Sequence, residues 1–91
     1  MDASADLDQS QIDEKKALAW AAGSKLRGLR GERRLTQQQL ADLLGWNKKT
    51  IQRFENGERE MTMGQVFELA EALSVSPAEF VRSVEKSMGI E

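Results

Sequence analysis

Four places in this chain carry the same signal for the start of an α-helix. In each, a residue that can cap a helix has an apolar residue just before it and another four positions after it. The four capping residues are Thr36, Asn47, Thr62 and Ser76. No stretch alternates apolar and polar residues as a half-buried strand does. The sequence therefore predicts an all-α fold, with helices over about 37–44, 48–56, 63–73 and 77–87.

Capping boxes and turn residues support these boundaries. A Gln or Glu stands three positions after three of the capping residues, at Gln39, Gln65 and Glu79, where its side chain can reach back to the cap. Gly45 and Gly57 follow the first two helices and can adopt the left-handed conformation that ends a helix at low cost. We therefore expect the first two helices to be short and joined by a tight turn.

A further helix start lies near the N-terminus. Asp8 and Gln11 form a box-like pair, and Leu7 and Ile12 can pack across it, so a helix is predicted to begin at Asp8. Residues 1–6 are polar and terminal, and we expect them to be disordered.

Two interpretations of Gly23-Ser24 are open. Glycine weakens a helix and serine prefers a cap, so the favoured interpretation is a break, followed by a separate helix from Ser24 to Arg34. The alternative is one continuous helix, because an apolar stripe that includes Leu18 and Leu26 runs across the glycine. On the favoured interpretation the chain divides into an extension at 1–23, a domain at 24–88 and a tail at 89–91.

Helical spacing selects the side chains of the core. The inward residues are predicted to be Leu26, Leu29, Leu35, Leu40, Leu43, Leu44, Trp46, Ile51, Phe54, Val66, Phe67, Leu69, Ala70, Leu73 and Phe80. Trp20 lies in the extension, where it can belong to a core patch or to an interface. Gly28 and Gly31 each cost about 1 kcal/mol relative to alanine in a helix interior, and only tertiary packing or close approach of another backbone can offset that.

The second short helix has one face of long cationic and amide side chains. Its members are Lys48, Lys49, Gln52, Arg53 and Asn56, and no acid lies among them. In the major groove of DNA, Arg and Lys can donate to guanine, and Gln and Asn can pair with adenine. These residues are therefore candidates for reading DNA bases.

The stretch TQQQLADLLGWNKKTIQRFENGER, residues 36–59, resembles the helix-turn-helix of the lambda-repressor/Cro-like (XRE) family. The shared features are the Thr-Gln start, the Leu-Ala pair, the turn glycine, the buried Ile and the Phe-Glu-Asn-Gly ending. The resemblance covers about Ser24 to Phe80. It departs from the family pattern at Trp46, where a smaller aliphatic residue is usual, and in the N-terminal extension.

This resemblance implies a fold and a function. The fold is a compact five-helix bundle of the repressor type, here with an N-terminal helical extension. The function is that of a sequence-specific transcription regulator, more often a repressor, that binds double-stranded DNA.

The resemblance also implies roles for single residues. Lys48, Lys49, Gln52 and Arg53 match the base-reading positions of the family. The positions that match phosphate contacts are Gln37, Asn47, Asn56 and Arg59. Arg30 and Glu55 match a pair that ties the first helix to the recognition helix. The alternative for the charged residues is a solvated helix face, and for Gln37 and Asn56 it is a plain helix-end residue.

Charge is distributed unevenly along the chain. The net charge of −2 divides into −3 over residues 1–23, +4 over 24–60 and −3 over 61–91. A basic middle segment between acidic ends indicates a molecule with one side suited to nucleic acid.

Composition excludes several other classes of protein. The chain has no cysteine and no histidine, so it lacks the usual ligands for a structural metal and the usual general base. Its carboxylates and hydroxyls form no catalytic set, and we expect neither an enzyme nor a cofactor. No apolar run has the length of a membrane span, and the acidic N-terminus is unlike a signal peptide. We expect a cytoplasmic location.

A single domain of this kind would read too few base pairs to select one site in a genome. We therefore expect a homodimer, at least on DNA, bound to a palindromic operator with half-sites about 34 Å apart. The favoured interface is an apolar tail stripe of Val84, Met88 and Ile90, and the alternative interface is the extension around Leu18 and Trp20. A second function remains open, namely an antitoxin or adaptor that binds a protein partner through the extension or the tail.

Overall fold

The computed structural model describes residues 9–89, which contain five α-helices and no strand. In chain order the helices are α1 (Gln9–Glu32), α2 (Gln37–Leu44), α3 (Lys48–Glu55), α4 (Met63–Ala72) and α5 (Pro77–Ser87). The prediction of an all-α fold is confirmed, and α2 to α5 begin at the residues that the capping signals indicate. None of the helices in this range combines the length and the apolar character needed to cross a membrane.

The helix starts are made by local hydrogen bonds. The Thr36 hydroxyl accepts from Gln39 N at 3.0 Å, and Gln39 Oε1 accepts from Thr36 N at 2.8 Å, which completes the capping box. Thr62 and Gln65 repeat both bonds. The side chains of Asn47 and Ser76 each accept one bond, from Lys49 N and Glu79 N respectively. The backbone amides at these helix starts are thus satisfied by residues two or three positions away.

The predicted break at Gly23-Ser24 is wrong, because α1 runs through both residues. Gly23 is buried where α1 crosses the end of α3. A Cβ at this position would overlap the carbonyl oxygen of Phe54 and lie 3.0 Å from its carbonyl carbon. The glycine therefore permits close approach of two backbones and does not end the helix. The boundary between an extension and a domain, drawn after residue 23, falls inside this helix.

The other two glycines of α1 have no such neighbour. A Cβ at Gly28 or Gly31 would meet nothing within 4 Å, so packing does not offset their unfavourable helix propensity. Nothing in the structure explains either glycine. The predicted disorder of 1–6, the cap at Asp8 and the packing of Leu7 against Ile12 lie wholly or partly outside the described residues.

All five helices contribute to one hydrophobic core. Its buried members are Leu26, Leu29, Leu40, Ala41, Ile51, Phe54, Leu69, Leu73, Phe80 and Val84. Trp46 is half-buried and packs against this core, with its ring centroid 6.0 Å from that of Phe54. Trp20 is 59% exposed and lies beside Gly57, two positions after the end of α3.

Two predicted core residues point outward. Leu43 is 64% exposed and Phe67 is 56% exposed. On α2 the buried stripe is centred between Leu40 and Ala41, and at about 100° per residue Leu43 lies about 110°, nearly a third of a turn, away from that centre. Phe67 has the same relation to the buried stripe of α4. On both helices the sequence spacing gives an apolar face that is wider than the area that the neighbouring helices cover.

The stripe predicted as a tail interface is partly covered in the structure, and the interface itself stays a prediction. Val84 is only 5% exposed and belongs to the core. Met88 is half-buried against the same core, and Ile90 lies outside the described residues. Little of the Val84 side chain is therefore exposed.

Candidate nucleic-acid interface

The turn between α2 and α3 is held by backbone geometry. Gly45 has a φ of 68°, and this left-handed conformation ends α2. Trp46 N then donates to Ala41 O at 2.9 Å, and Asn47 caps the start of α3. Because these contacts are local, the angle between the two helices follows from the sequence of the turn.

One face of α3 is anchored in the core. Ile51 and Phe54 are fully buried, and Trp46 packs on the Phe54 ring from the preceding turn. At the far end of the helix, Asn56 N donates to Gln52 O at 2.9 Å, and Gly57 adopts a φ of 71°. The side of α3 away from the core is thus presented on a helix that cannot rotate without opening the core.

The outward face of α3 is basic and has no partner inside the protein. Lys48, Lys49 and Arg53 are exposed, and within residues 9–89 their side chains make no hydrogen bond or ion pair. Gln52 is half-buried beside them. Cationic donors without internal partners can bind an anion or a base edge without first breaking an existing contact.

The one acid of α3 is buried and neutralised. Arg30 Nε donates to Glu55 Oε2 at 2.7 Å, and its terminal nitrogen donates to Glu55 Oε1 at 2.9 Å. Gln37 Nε2 donates to Oε1 at 3.0 Å, and Arg27 Nε approaches the same oxygen at 3.4 Å. Among the described residues, no buried side-chain nitrogen or oxygen lacks a partner.

This cluster determines the ionisation of Glu55. Burial raises the pKa of its carboxyl group, but the hydrogen bonds from Arg30, Gln37 and Arg27 outweigh burial and hold the pKa below its ordinary value of 4.5. The carboxylate is charged at neutral pH, and it joins α1, the first turn of α2 and the end of α3. Such a buried pair orients helices more than it adds net stability.

The residues predicted to contact phosphate all lie around α2 and α3, each with a contact inside the protein. Gln37 is bonded to Glu55, and Asn47 caps α3. Asn56 Oδ1 accepts from Arg27 at 3.5 Å, and the Arg59 guanidinium carbon lies 5.7 Å from the centre of the Phe54 ring. The structure thus brings Gln37 together with the Arg30–Glu55 pair, while Arg59 lies over the core aromatic.

Arg27 was missed by sequence reasoning. It lies one helical turn before Arg30 on the same face of α1 and reaches Glu55 Oε1, Glu55 O and Asn56 Oδ1. The i, i+3 spacing of the two arginines is the signal that could have identified it. The same described range holds no cluster of His, Cys, Asp or Glu placed to bind a metal ion.

A family model described as a helix-turn-helix domain matches residues 21–82, which is more than half of the chain. The chain belongs to this helix-turn-helix family. The resemblance to XRE-type domains is confirmed, and the protein is a helix-turn-helix transcriptional regulator, a class that implies DNA binding. The match leaves residues 9–20 of α1 outside it.

Three relatives illustrate the range of this helix-turn-helix domain. An uncharacterized HTH-type transcriptional regulator, y4dJ of Sinorhizobium fredii, is 34% identical over 65 residues, which are 71% of this chain and 84% of the relative. The clp gene regulator ClgR of Corynebacterium glutamicum superposes with a TM-score of 0.75 at 25% identity, over 80% of this chain and 78% of ClgR. The restriction-modification controller protein C.AhdI of Aeromonas hydrophila superposes with a TM-score of 0.65 at 32% identity, over 68% of this chain and 94% of C.AhdI.

Proposed function

We propose that this helix-turn-helix regulator is a repressor that binds a specific double-stranded DNA operator by placing α3 in the major groove. The observation that carries the proposal is the outward face of α3, where Lys48, Lys49 and Arg53 are exposed and unpartnered while the opposite face is locked in the core. A rigid helix with free cationic donors is the element that a major groove accommodates.

Four side chains contact the bases in this proposal. Arg53, Lys48 and Lys49 donate to guanine edges, and the amide of Gln52 pairs with adenine. A well-placed contact of this kind discriminates against a wrong base by about 1–3 kcal/mol. Arg30 and Arg27 neutralise Glu55 inside the protein, so no uncompensated negative charge remains on the helix that approaches DNA. This favours base reading by α3.

Phosphate contacts at the ends of α2 and α3 set the register of the helix on the duplex. Gln37 opens α2, where the helix dipole favours an anion, and Asn47, Asn56 and Arg59 flank α3. The bond from Gln37 Nε2 to Glu55 uses one of two amide hydrogens, so the other remains available to a phosphate oxygen.

The regulator acts as a homodimer on a palindromic operator in the cytoplasm. One α3 contacts too few base pairs for genomic specificity, and two copies related by a two-fold axis read two half-sites. Repression follows where such an operator overlaps the start of transcription.

The first experiment is DNA-protection footprinting on the upstream region of the gene, followed by affinity measurements on the protected site. Arg53→Ala and Lys49→Ala are each expected to weaken specific binding by about 1–3 kcal/mol, or about 5–150-fold, and to relax the choice of base at one position. Lys86→Ala removes an equal charge from the exposed side of α5 and is expected to change specific binding little.

Two results would contradict the proposal. The assignment of α3 to the groove is refuted if Arg53→Ala and Lys49→Ala both bind the mapped operator as tightly as the wild type. An affinity that does not fall with added salt would refute DNA contact by these cations and favour the antitoxin or adaptor function, since neutralised phosphates release counterions.

A further inference from the structure

The first turns of α1 lie outside the part of the chain that matches the helix-turn-helix family. The match begins at residue 21, whereas α1 begins at Gln9. The contacts of α1 nevertheless continue past the match, along the segment that follows α3. This segment, residues 56–60, holds Asn56 and Arg59, two of the residues proposed to contact phosphate.

Two close approaches of backbone fix α1 against the end of α3 and the segment after it. The first is at Gly23, where a Cβ would overlap the carbonyl oxygen of Phe54. The second is at Gly57, where a Cβ would lie 3.1 Å from both Cα and Cε3 of Trp20. Because backbone takes part in both contacts, the fold itself sets the position of this part of α1.

One face of α1 follows the segment after α3. Its members are Lys16, Trp20, Gly23 and Arg27. At about 100° per residue they fall within about 60° of arc, so they form a single row along the helix. Arg27 donates to Asn56 Oδ1 at 3.5 Å, and Trp20 lies beside Gly57. Each step along this row toward the N-terminus thus meets a residue farther past the end of α3.

Lys16 stands at the far end of this face. It lines a shallow recess of about 260 Å³ that Arg59 also lines. The Lys16 side chain is exposed and makes no hydrogen bond or ion pair within residues 9–89. Glu58 and Glu60 line the same recess, but in this range neither forms an ion pair with a lysine. The Lys16 ammonium group can therefore bind an external anion without first breaking an internal contact.

Trp20 supplies an aromatic surface on the same face. Its side chain is 59% exposed, and its indole N–H makes no hydrogen bond to the residues that the structure describes. An indole combines a flat apolar body with one hydrogen-bond donor. Such a side chain can lie along a sugar and donate to a phosphate oxygen.

We propose that this face of α1 contacts the DNA backbone beside the bases that α3 reads. In this arrangement Lys16 binds a phosphate and Trp20 lies against the neighbouring sugar. The inference rests on the proposed function, in which Asn56 and Arg59 lie at the backbone. Since Arg59 and Lys16 line one recess, a strand that passes the first also passes the second.

The chemistry of the face suits backbone contact and not base reading. A lysine is a compact charge on a flexible stem, so it binds a phosphate without selecting a base. The face is also continuous with the residues that flank α3, which favours DNA over a separate acidic partner as its ligand. The N-terminal half of α1 therefore adds affinity and lengthens the contacted stretch of DNA, while specificity stays with α3.

The test is the salt dependence of DNA binding by Lys16→Ala, measured on the mapped operator and on an unrelated duplex. The matched control is Lys25→Ala, which removes the same charge from the opposite side of the same helix, nine positions or about 180° away. Thermal unfolding checks that both variants are folded. Arg53→Ala is measured in parallel, because it is expected to relax base choice, whereas a phosphate contact affects all sequences alike.

Lys16→Ala is expected to weaken binding to both duplexes by the same factor. Loss of one phosphate contact lowers the slope of log affinity against log salt by about 0.9, so between about 50 and 200 mM salt the variant loses about 3.5-fold less affinity than the wild type does. Lys25→Ala is expected to keep the wild-type slope.

A second measurement follows Trp20 directly. In the variant Trp46→Phe, Trp20 is the one remaining tryptophan, and its fluorescence in the free protein is expected to be quenched readily by acrylamide because the side chain is exposed. Binding to the operator is expected to protect it.

Three results would overturn this role of α1, namely a wild-type salt slope for Lys16→Ala, an equal loss of slope for Lys25→Ala, or undiminished quenching of Trp20 on the operator. Each of them leaves the effect of Arg53→Ala untouched, so the proposed function would stand. Absence of DNA binding by the wild type would overturn both proposals.

Discussion

Replacing Gly23 by alanine is the most direct test of how α1 and α3 are packed. The new Cβ would overlap the carbonyl oxygen of Phe54 and lie 3.0 Å from its carbonyl carbon and 3.2 Å from Glu55 Cα. All three atoms belong to the backbone at the end of α3, so no side-chain rotation can relieve the contact. The two helices must separate instead.

The magnitude follows from the distances. Carbon atoms in contact are normally ~3.5–4.0 Å apart, so the helices must move by at least ~0.5 Å where they cross. Overpacking of this kind costs ~1–3 kcal/mol, and a rigid backbone neighbour places this site at the upper end. Alanine regains about 1 kcal/mol of helix propensity. The net loss for Gly23→Ala is therefore about 2 kcal/mol, or about 8–16 °C in Tm for a domain of this size.

Gly28→Ala is the matched control on the same helix. A Cβ there meets nothing within 4 Å and the position is exposed, so only helix propensity changes. We expect a gain of about 0.5–1 kcal/mol and a higher Tm.

Thermal and urea unfolding of both variants, followed by circular dichroism, measures the difference between them. Equal stability of Gly23→Ala and Gly28→Ala would refute the close crossing of α1 and α3. It would also restore the interpretation of Gly23 as a residue that serves only to weaken the helix.

Two further predictions concern the anchoring of α3. Phe54→Ala and Ile51→Ala are each expected to lower the free energy of unfolding by about 2–5 kcal/mol, because a cavity forms behind α3. Wild-type melting of both variants would mean that the buried and exposed faces of α3 are reversed. Glu55→Gln is expected to cost about 3 kcal/mol at pH 7, since it leaves buried arginine charge without its partner, while the exposed Glu58→Gln serves as a neutral control. Because the pKa of Glu55 is held below 4.5, the contribution of its carboxylate to stability is present above that pH and is lost as the pH falls. The wild type is therefore expected to lose more stability in acid than Glu55→Gln does.

Helix boundaries could be predicted from the sequence because their causes are local. The bonds that start α2 and α4 join Thr36 to Gln39 and Thr62 to Gln65, over three positions. The turn after α2 depends on the left-handed Gly45 and on bonds between neighbouring residues, such as Trp46 N to Ala41 O. The favoured prediction of a break at Gly23-Ser24 was wrong, because it rested only on the low helix propensity of glycine and not on a capping bond.

The residues proposed to bind DNA were predicted from the helical repeat of α3 together with a family resemblance. Ile51 and Phe54 define the buried side of α3, and the opposite side follows from the helical repeat. Sequence reasoning did not place the third and fourth members of the Glu55 cluster, although the i, i+3 spacing of Arg27 and Arg30 puts both arginines on one face of α1. Gln37 and Arg27 are separated from Glu55 by 18 and 28 positions, and only packing of α1, α2 and α3 brings them together.

The sequence by itself determined the number, the limits and the order of the helices from α2 onward, because capping and turn formation depend on residues within one helical turn. Tertiary structure decided which apolar residues are covered. Val84 is in the core while Phe67 and Leu43 face outward, since burial depends on which neighbouring helix lies over each face. It also decided why Gly23 is glycine and how Leu18, Phe67 and Val81 come to share one recess, since both depend on the approach of segments that are distant in the chain.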